Sequence, residues 1–493
     1  MFTLNSKIET TKLYFSVRDQ RTLVVAADAG TWIIADDNKI PLLRALQEGI
    51  MYRDLIEQFN DDSQEINEYL SKLFSLGFIK VDNRTAVSGK DLYETIIRDN
   101  QIPNLCILHV SNSCNLRCQY CYAHTEQTNR RTMDIQVVRK AIDRFFELDT
   151  SYIKVEFHGG EPLLQFKIIN QACQYAVDLA QKTNKQVGFS IQSNLTFLNE
   201  ECIRMLKQYN IDLRISLDGS KEDNDFYRVD QKGSGTFDNI INNLSLLNQN
   251  MIYPEVVAVV SNRNVDNLID MFQLFAGLNL NRIRLIPLWA QGMGNEISDA
   301  VVPQKYLAHK YIELLEWVLD YNLHQADTQK RISMYSLQKE IEALTSFRRS
   351  YMCLRCPCGA GMNMVDINID GNIYPCEEMN EIEDTLVGNI FDGPIMKQYA
   401  NSDVVRILKS RFPDHIPECC DCPWKRHCQS GCANKNYQFE SYKKSSDAGT
   451  KTPSRYESPF ETKSDKCEFY KLYFEELIWF MDRHKYDYQA ILH

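Results

Sequence analysis

The stretch C-N-L-R-C-Q-Y-C, from Cys114 to Cys121, decides how the rest of the sequence is interpreted. Its three cysteines, Cys114, Cys118 and Cys121, have the spacing C-x3-C-x2-C. Three thiolates so close together can bind three irons of a 4Fe–4S cluster, whose usual ligands are four cysteines, and the fourth iron then stays open to a small molecule. A structural zinc site is the alternative, but zinc prefers four closed ligands and only His124 stands nearby as a fourth. We therefore predict an iron–sulfur cluster at this stretch.

Length and composition indicate a large globular protein. The 493 residues suggest about three domains, and 44% hydrophobic with 25% charged residues is typical of chains that bury large cores. The net charge of −11 argues against nucleic-acid partners, which favour basic surfaces. The sequence has neither a signal peptide nor an apolar run that could span a membrane, so we expect a cytoplasmic protein without a membrane partner. Sixteen cysteines in a reducing compartment indicate metal ligands rather than disulfides.

Residues 1–85 have the pattern of a small separate domain. Predicted strands cover Tyr14–Ala27, Thr31–Ala35 and Phe78–Val81, and predicted helices cover Asn38 (the N-cap) to Leu46, Tyr52–Phe59 and Ser63–Leu76. Two or three strands with three helices indicate a winged-helix-like domain. A DNA-binding domain is the alternative, but 10 Lys and Arg against 13 Asp and Glu residues suit a nucleic-acid backbone poorly.

Strands and helices alternate after a polar stretch at residues 86–104, which we predict to be a linker with one or two helical turns. The alternation predicts βαβ units and a parallel sheet, and therefore an α/β fold. The six predicted strands are Leu105–Ser111, Ile153–His158, Val187–Gln192, Ile211–Leu217, Val256–Val260 and Arg282–Pro287. The predicted helices between them are Asp134–Leu148, Gln165–Gln181, Asn199–Lys207, Phe237–Leu247 and Asn264–Phe275.

The loops that follow these strands carry the residues suited to ligand binding, because function concentrates at the carboxyl ends of parallel strands. The second strand ends in G-G-E-P at 159–162, where glycines allow a ligand to approach the backbone. The third ends in Q-S-N at 192–194 and the fourth in S-L-D-G at 216–219. Arg228 follows, and a guanidinium suits bidentate binding of a carboxylate. A tight turn is the alternative interpretation of the glycine pair.

Together these motifs resemble the radical S-adenosylmethionine (SAM) family. The resemblance implies a partial (β/α)6 barrel whose cluster, on the three cysteines of the first stretch, binds SAM at its open iron and cleaves it to a 5′-deoxyadenosyl radical. One departure from the family is Ser193, where a threonine is usual. By resemblance, the expected SAM contacts are Tyr120, Gly159, Gly160, Glu161, Ser193, Ser216 and Arg228.

The last third of the sequence carries a second set of cysteines. Its order, with a glycine five residues before Cys376 and then C-x2-C-x5-C-x3-C, resembles the SPASM extension of radical SAM proteins. A zinc ribbon is the alternative. The resemblance implies two auxiliary 4Fe–4S clusters, and so three clusters in the chain. The implied ligands are Cys358, Cys376 and Cys432 for the first auxiliary cluster, and Cys419, Cys422, Cys428 and Cys467 for the second.

Two cysteines, Cys353 and Cys356, are candidates for the fourth ligand of the first auxiliary cluster. If neither binds, the cluster has an open iron that could coordinate a substrate thiolate. Further along, Lys443–Ser464 is rich in Ser, Lys, Thr and Pro and is predicted to be a loop, followed by an amphipathic helix over Tyr470–Met481.

Residues 1–85 resemble the peptide-recognition domain fused to many peptide-modifying radical SAM enzymes, which is related to the small chaperone of pyrroloquinoline quinone biosynthesis. In such domains a leader peptide adds a strand to the edge of the sheet. The predicted domains are therefore the winged-helix-like recognition domain at 1–85, the linker at 86–104, the barrel at 105–330, a bridging helix at 331–352 and the SPASM domain at 353–480.

The resemblance implies a radical SAM oxidoreductase that crosslinks a ribosomally made precursor peptide by hydrogen-atom abstraction. A thioether is the first expectation, and a carbon–carbon or carbon–oxygen crosslink of the cyclophane type is the second. The implied partners are a precursor peptide with its leader and a flavodoxin or ferredoxin that donates electrons. The alternatives are a sulfatase-maturing enzyme that forms formylglycine, and a zinc-stabilised peptide- or DNA-binding regulator. The sequence identifies no residue as the catalytic base.

Overall fold

The computed structural model describes residues 2–59, 63–99, 101–123, 130–288, 297–347, 351–437 and 463–492. The chain forms two compact units, each assembled from separated segments. The first unit contains residues 1–99, 339–358 and 410–474, and the second contains residues 100–338, 359–409 and 475–493. His124 and nearly all of the loop predicted over Lys443–Ser464 lie outside the described residues. The predicted domain limits stay a prediction.

The N-terminal part of the first unit contains two small antiparallel sheets. Its strands are β1 (Lys7–Thr10), β2 (Leu13–Arg18), β3 (Arg21–Ala26), β4 (Thr31–Asp36), β5 (Ile50–Met51) and β6 (Ile79–Val81). One sheet has the order β2-β3-β4 and the other β5-β1-β6. Asp19 and Gln20 have φ of 49° and 60° and form a two-residue hairpin turn. The single apolar run predicted over Tyr14–Ala27 is therefore two strands.

Four helices complete this part: α1 (Ile40–Gln47), α2 (Tyr52–Phe59), α3 (Ser63–Ser75) and α4 (Gly89–Asp99). Leu43, Leu46 and Leu70 are fully buried in the core that the first three helices share with the sheets. The prediction of Asn38 as the N-cap is wrong, because a 3-10 turn over Asp37–Lys39 precedes the helix. The segment predicted to be a linker holds the 11-residue helix α4, longer than the one or two turns expected.

The second unit contains a ten-stranded sheet. The six predicted strands lie side by side in sequence order and are parallel, which confirms the α/β prediction. They are β7 (Leu105–Ser111), β8 (Tyr152–Gly159), β9 (Gln186–Ser193), β10 (Asp212–Ser216), β11 (Glu255–Val260) and β12 (Arg282–Pro287). Four short strands were not predicted: β13 (Ser333–Met334) beside β12, β14 (Met364–Ile367) parallel to β7, and the antiparallel β15 (Asn372–Tyr374) and β16 (Gly388–Asn389).

Some of the helices between the strands begin at polar side chains that cap their first turns. The side chain of Asp134 accepts a hydrogen bond from the backbone N–H of Gln136, and the side chain of Asn199 accepts one from the backbone N–H of Cys202. The helices are α5 (Ile135–Phe146), α6 (Phe166–Thr183), α7 (Glu200–Gln208), α8 (Lys221–Tyr227), α9 (Phe237–Gln249), α10 (Leu268–Gly277), α11 (Gln304–His324), α12 (Tyr335–Thr345), α13 (Ile395–Asn401) and α14 (Asp403–Ser410).

The two faces of the sheet differ in polarity. Along β8, Val155 and Phe157 are buried on one face, and strand alternation places Glu156 and His158 on the opposite face. We call this second side the polar face. It carries charged side chains of several neighbouring strands, and these are part of the site described below.

Within residues 410–437 and 463–474, the described cysteine-rich part of the first unit has little regular structure. It includes the short helix α15 (Lys425–Cys428) and the start of the Cys467–His484 helix, which covers the predicted Tyr470–Met481 helix. Among the described residues, no helix combines the length and the apolar character that a membrane crossing requires.

Candidate active site

The three cysteines of the first stretch lie in the loop that follows β7. The backbone N–H of Leu116 and the Nδ2 of Asn194 are 3.3 and 3.6 Å from the Sγ of Cys114. Burial, with added repulsion from neighbouring thiols, raises the pKa of Cys114 to about 12 and that of Cys118 to about 11. Cys118 and Cys121 are both near enough to Cys114 for their charges to raise its pKa. This donor set fits iron, whose charge favours the thiolate form.

The G-G-E-P turn lies directly against this loop. Gly160 and Glu161 donate backbone hydrogen bonds to the carbonyl oxygens of Ser111 and Ser113, each at 2.9 Å. A Cβ on Gly159 or Gly160 would lie 2.1 Å from one of those same oxygens, so only glycine allows this approach. The structure therefore brings the predicted SAM motif and the cysteine loop together.

Glu161 is buried and connects three segments. Its Oε1 accepts hydrogen bonds from the backbone N–H of Leu163 at 2.9 Å and from the Oγ of Ser193 at 2.8 Å. Its Oε2 accepts one from the backbone N–H of Asn194 at 2.7 Å. Burial raises the pKa of this carboxyl group. The side chains of Glu161 and Ser193 thus bind each other and shape the wall of the site, and their contact with SAM stays a prediction.

Asp218 organises the residues predicted to approach the rest of SAM. Its Oδ2 lies 3.0 Å from the Nε of Arg228 and also accepts a hydrogen bond from the Oη of Tyr120. The guanidinium carbon of Arg228 is 5.4 Å from the centre of the Tyr120 ring, a cation–π contact. Although burial opposes it, the charge of Asp218 raises the pKa of Arg228. Ser216 lies on β10, where its Oγ accepts a hydrogen bond from Gln192 at 3.1 Å.

The polar face holds a cluster that the sequence did not reveal. The Nε2 of His158 lies 3.0 Å from Glu156 Oε1 and 3.3 Å from Glu377 Oε2. Although burial opposes it, the charges of Glu377 and Glu156 raise the pKa of His158 to about 9. The sequence contains two signals that these residues lie near functional motifs, because His158 precedes the glycine pair and Glu377 follows Cys376. Neither shows that the two residues meet, because they lie far apart in the sequence.

The four cysteines predicted for the second auxiliary cluster all belong to the first unit. The pKa of Cys428 is raised by burial and by the charges of Cys422, Cys419 and Cys467. Arg411 shapes the adjoining loop, because its buried guanidinium donates to the carbonyl oxygens of Ser430 and Gly431 at 2.6 and 3.1 Å. The donor set fits a 4Fe–4S cluster, whose usual ligands are four thiolates.

The ligands predicted for the first auxiliary cluster belong to both units. Cys353, Cys358 and Cys432 belong to the first unit and Cys376 belongs to the second. Within the first unit, the thiol of Cys356 donates a hydrogen bond to the carbonyl oxygen of Arg411 at 2.7 Å. The choice between Cys353 and Cys356 as the fourth ligand stays open. The ligand set stays a prediction.

A parallel sheet whose first loop gathers three thiols beside a glycine pair defines the class of enzymes that use an iron–sulfur cluster and SAM. Family models agree with this geometry. Residues 108–275 match the radical SAM superfamily, and residues 358–423 match the SPASM iron–sulfur cluster-binding domain. The chain therefore contains a radical SAM domain followed by a SPASM domain, as the motifs predicted.

Relatives with known names are similar over most of this chain. A cysteine-type anaerobic sulfatase-maturating enzyme of Clostridium novyi is 26% identical over 357 residues, which cover 68% of this chain and 89% of the relative. The radical SAM cyclopropyl synthase TigE of Paramaledivibacter caminithermalis is 22% identical over 434 residues, which cover 80% and 83% of the two chains.

Solved structures share the fold. Native anSMEcpe with bound AdoMet and Kp18Cys peptide superimposes with a TM-score of 0.63 at 19% identity, covering 77% of this chain and 99% of that one. Streptococcus suis SuiB bound to precursor peptide SuiA gives 0.53 at 16% identity, covering 94% and 100%. These structures show the shared fold, and the two domain matches with the sequence relatives support a SPASM-type radical SAM maturase that uses SAM and iron–sulfur clusters.

Proposed function

We propose that this enzyme binds the leader of a ribosomally made precursor peptide and crosslinks the core peptide oxidatively. The observation that carries the proposal is the N-terminal sheet. Residues 86–493 are 408 of the 493 residues, or 83% of the chain, so the 94% coverage by SuiB extends into residues 1–85. The fold shared with a structure that contains a precursor peptide thus includes part of the small domain, and the PqqD-like role of that domain belongs to the proposal.

The edge strand β4 is where we place the leader. Within the described residues β4 pairs only with β3, and its other edge offers backbone groups to an added strand. A cavity of about 270 Å³ adjoins the start of this strand. Its lining includes Thr31, Trp32, Leu76 and Phe347, which suit an apolar side chain of an extended peptide.

We place SAM against the glycine pair, with its carboxylate near Arg228 and its adenine near Tyr120. When bound, the first cluster and SAM supply a 5′-deoxyadenosyl radical, and the auxiliary clusters supply an electron acceptor. Glu161, Ser193 and Asn194 fix the wall beside Cys114, and Asp218 orients Arg228. These contacts exclude water and place one substrate C–H bond beside the radical carbon.

The overall change is the loss of two hydrogens from the peptide. One leaves as a hydrogen atom, which converts the radical to 5′-deoxyadenosine. As the new bond closes, the second hydrogen leaves as an electron, which passes to an iron–sulfur cluster, and as a proton. We assign the proton to Glu377, since its side chain is 31% exposed on the polar face and its Oε2 lies 3.3 Å from the Nε2 of His158.

We propose a thioether as the new bond, with a carbon–carbon or carbon–oxygen crosslink as the second candidate. The proposal also includes three 4Fe–4S clusters, a flavodoxin or ferredoxin that donates electrons, and a location in the cytoplasm. Formylglycine formation on a sulfatase is a further candidate, favoured by the identity with sulfatase-maturating relatives. Those relatives cover less of the chain than TigE or SuiB do.

Hydrogen exchange tests where the leader binds. With the full precursor peptide, we expect the amides of Thr31–Asp36 to become protected, while those of Leu13–Arg18 stay unchanged. The leaderless core peptide is the control and should protect neither strand. Protection that is equal with and without the leader would overturn the assignment of β4.

A further inference from the structure

The turn between β3 and β4 is held by two buried cations of helix α15, which belongs to the same unit. Lys425 and Arg426 are consecutive residues of that helix, and their side chains are only 3% and 5% exposed. The Nζ of Lys425 donates to Asp28 Oδ1 at 2.8 Å, and the Nε of Arg426 donates to the carbonyl oxygen of Asp28 at 2.9 Å. Strand β4, where we place the leader, therefore begins directly after a turn that α15 fixes.

Arg426 fits into this part of the unit with no room to spare. A Cβ on Gly30 would lie 2.5 Å from the Cβ of Arg426, and a Cβ on Gly89 would lie 2.0 Å from its guanidinium carbon. The guanidinium makes a bidentate contact with Asp414, at 2.5 and 2.9 Å, and its carbon is 4.8 Å from the centre of the Phe412 ring. Because packed interiors are hardly compressible, a displacement of α15 must move the turn as well.

The same short helix lies between two ligands predicted for the second auxiliary cluster. It ends at Cys428, and Cys422 precedes it by three residues. The Nζ of Lys425 also donates to the carbonyl oxygen of Cys420 at 2.9 Å, in the loop that carries these ligands. Metal binding is coupled to the folding of the segment that supplies the ligands. The second auxiliary cluster, when bound, would therefore restrain the helix that holds the turn.

We propose that α15 couples leader binding on β4 to the second auxiliary cluster, with Lys425 and Arg426 as positioning residues. This inference rests on the proposed function. When the ligand loop is fixed by its cluster, α15 holds the turn and keeps the edge of β4 in the conformation that a leader strand pairs with. The coupling is reciprocal, so a bound leader also favours retention of the cluster. The enzyme thus binds its leader most tightly when this electron-accepting cluster is assembled.

The test measures the affinity of a fluorescent leader peptide for the reconstituted enzyme, without turnover. Cys467→Ala removes a predicted ligand that is distant from α15 in the sequence, so its effect on α15 passes through the cluster, and iron should fall by up to about four per chain. We expect the leader to bind this variant about tenfold more weakly, within the usual range for coupled sites.

A second substitution separates coupling from a merely structural contact. Asp28→Asn loses the ionic contact with Lys425 but keeps the carbonyl contact with Arg426. In this background, Cys467→Ala should weaken leader binding by about threefold or less, because coupled residues are not additive. Asp19→Asn, in the turn between β2 and β3 of the same sheet, is the matched control, and there the cluster loss should again weaken binding about tenfold.

A second readout needs no leader. Hydrogen exchange at the amides of β4 should be faster in Cys467→Ala, while the amides of β1, in the other small sheet, stay unchanged. If Cys467→Ala does not fold, Asp28→Asn should speed exchange in β4 and Asp19→Asn should not, and equal exchange in these two would overturn the inference. Equal leader affinity with and without the cluster would also overturn it, as would a tenfold loss that persists in Asp28→Asn. If no variant binds a leader while exchange in β4 responds to the cluster, the proposed function fails and the coupling through α15 stands.

Discussion

The ends of the neighbouring strands β7 and β8 approach each other closely at Gly159. A Cβ there would lie 2.1 Å from the carbonyl oxygen of Ser111, and the backbone has φ of +121°. The atoms that this Cβ would meet belong to the backbone of Ser111, so a substitution must displace backbone. The absence of a side chain at this residue therefore sets the distance between the predicted SAM motif and the cysteine loop.

We expect Gly159→Ala to lower the free energy of unfolding by about 3 kcal/mol or more, because strain at positive φ and a backbone clash act together. Denaturant unfolding measures the change. Gly277→Ala is the matched control, since nothing lies within 4 Å of a Cβ at that position, and it should be neutral or stabilising. Equal stability of the two variants would show that the loops do not pack as described.

The charge of His158 predicts a pH dependence. The groups that face the His158 imidazole are Glu156 on the same strand, Arg214 on β10, His109 on β7, whose ring centre is 6.0 Å away, and Glu377. The pKa of His158 is raised from 6.5 to about 9, so its charged form persists below about pH 9 and is lost above it. We expect the free energy of unfolding to fall as pH rises from about 6.5 through about 9, because His158 loses the charge that pairs it with Glu156 and Glu377, and we expect this limb to be absent in His158→Gln when denaturant unfolding is measured at each pH. The same limb in both enzymes would assign it to another group.

Single residues were predictable where the chemistry is local in the sequence. The spacing of Cys114, Cys118 and Cys121 indicates a cluster because three ligands fit within eight residues. Glu161 was selected by its motif, but its three hydrogen bonds to the protein became visible only in the fold. The contact between His158 and Glu377 joins distant segments, and no local pattern encodes it.

At the scale of elements, the loop that follows Cys428 depends on one buried side chain. Gln429, Ser430 and Gly431 have φ of 52°, 63° and 69°, three successive left-handed residues. Such a run directs its carbonyl oxygens toward one donor, and the guanidinium of Arg411 supplies it. The loop thereby keeps Cys428 beside the other three thiols.

We expect Arg411→Lys to lower the free energy of unfolding by about 3 kcal/mol, since an ammonium cannot satisfy three buried carbonyl oxygens in that plane. The iron content should fall as well, by up to about four irons per chain if one 4Fe–4S cluster is lost. Arg406→Lys is the control, because its side chain is 73% exposed and the change should stay within about 0.5 kcal/mol. Full iron content in Arg411→Lys would contradict this account of the loop.

The elements that sequence patterns located well are those with apolar periodicity. Strands β7 to β12 were predicted within one or two residues because each is a short buried run between turns. Helix α8 was missed because K-E-D-N-D-F-Y has almost no apolar face, and its Ser220 cap holds the first turn instead. Strands β5 and β16, of two residues each, carry no periodicity that could be detected.

For the whole molecule, the family and the fold follow from motifs distributed along the chain, whereas the reaction does not. Three sets of cysteines and the glycine pair define a SPASM-type radical SAM enzyme regardless of what it modifies. We propose that substrate choice depends on the edge of β4 and on the polar face, and the residues of the polar face come from distant segments. Homologues with this architecture are named as sulfatase maturases and as a cyclopropyl synthase, so a direct assay of the product must decide.

The most direct test is the mass of candidate precursor peptides, taken from small reading frames beside the gene, after anaerobic incubation with enzyme, SAM and reductant. We predict the loss of two hydrogens for each modification, dependent on the leader, and one alkylatable thiol fewer if the new bond is a thioether. SAM cleavage without any mass change on these peptides, together with conversion of a sulfatase cysteine peptide to formylglycine, would contradict the proposed function.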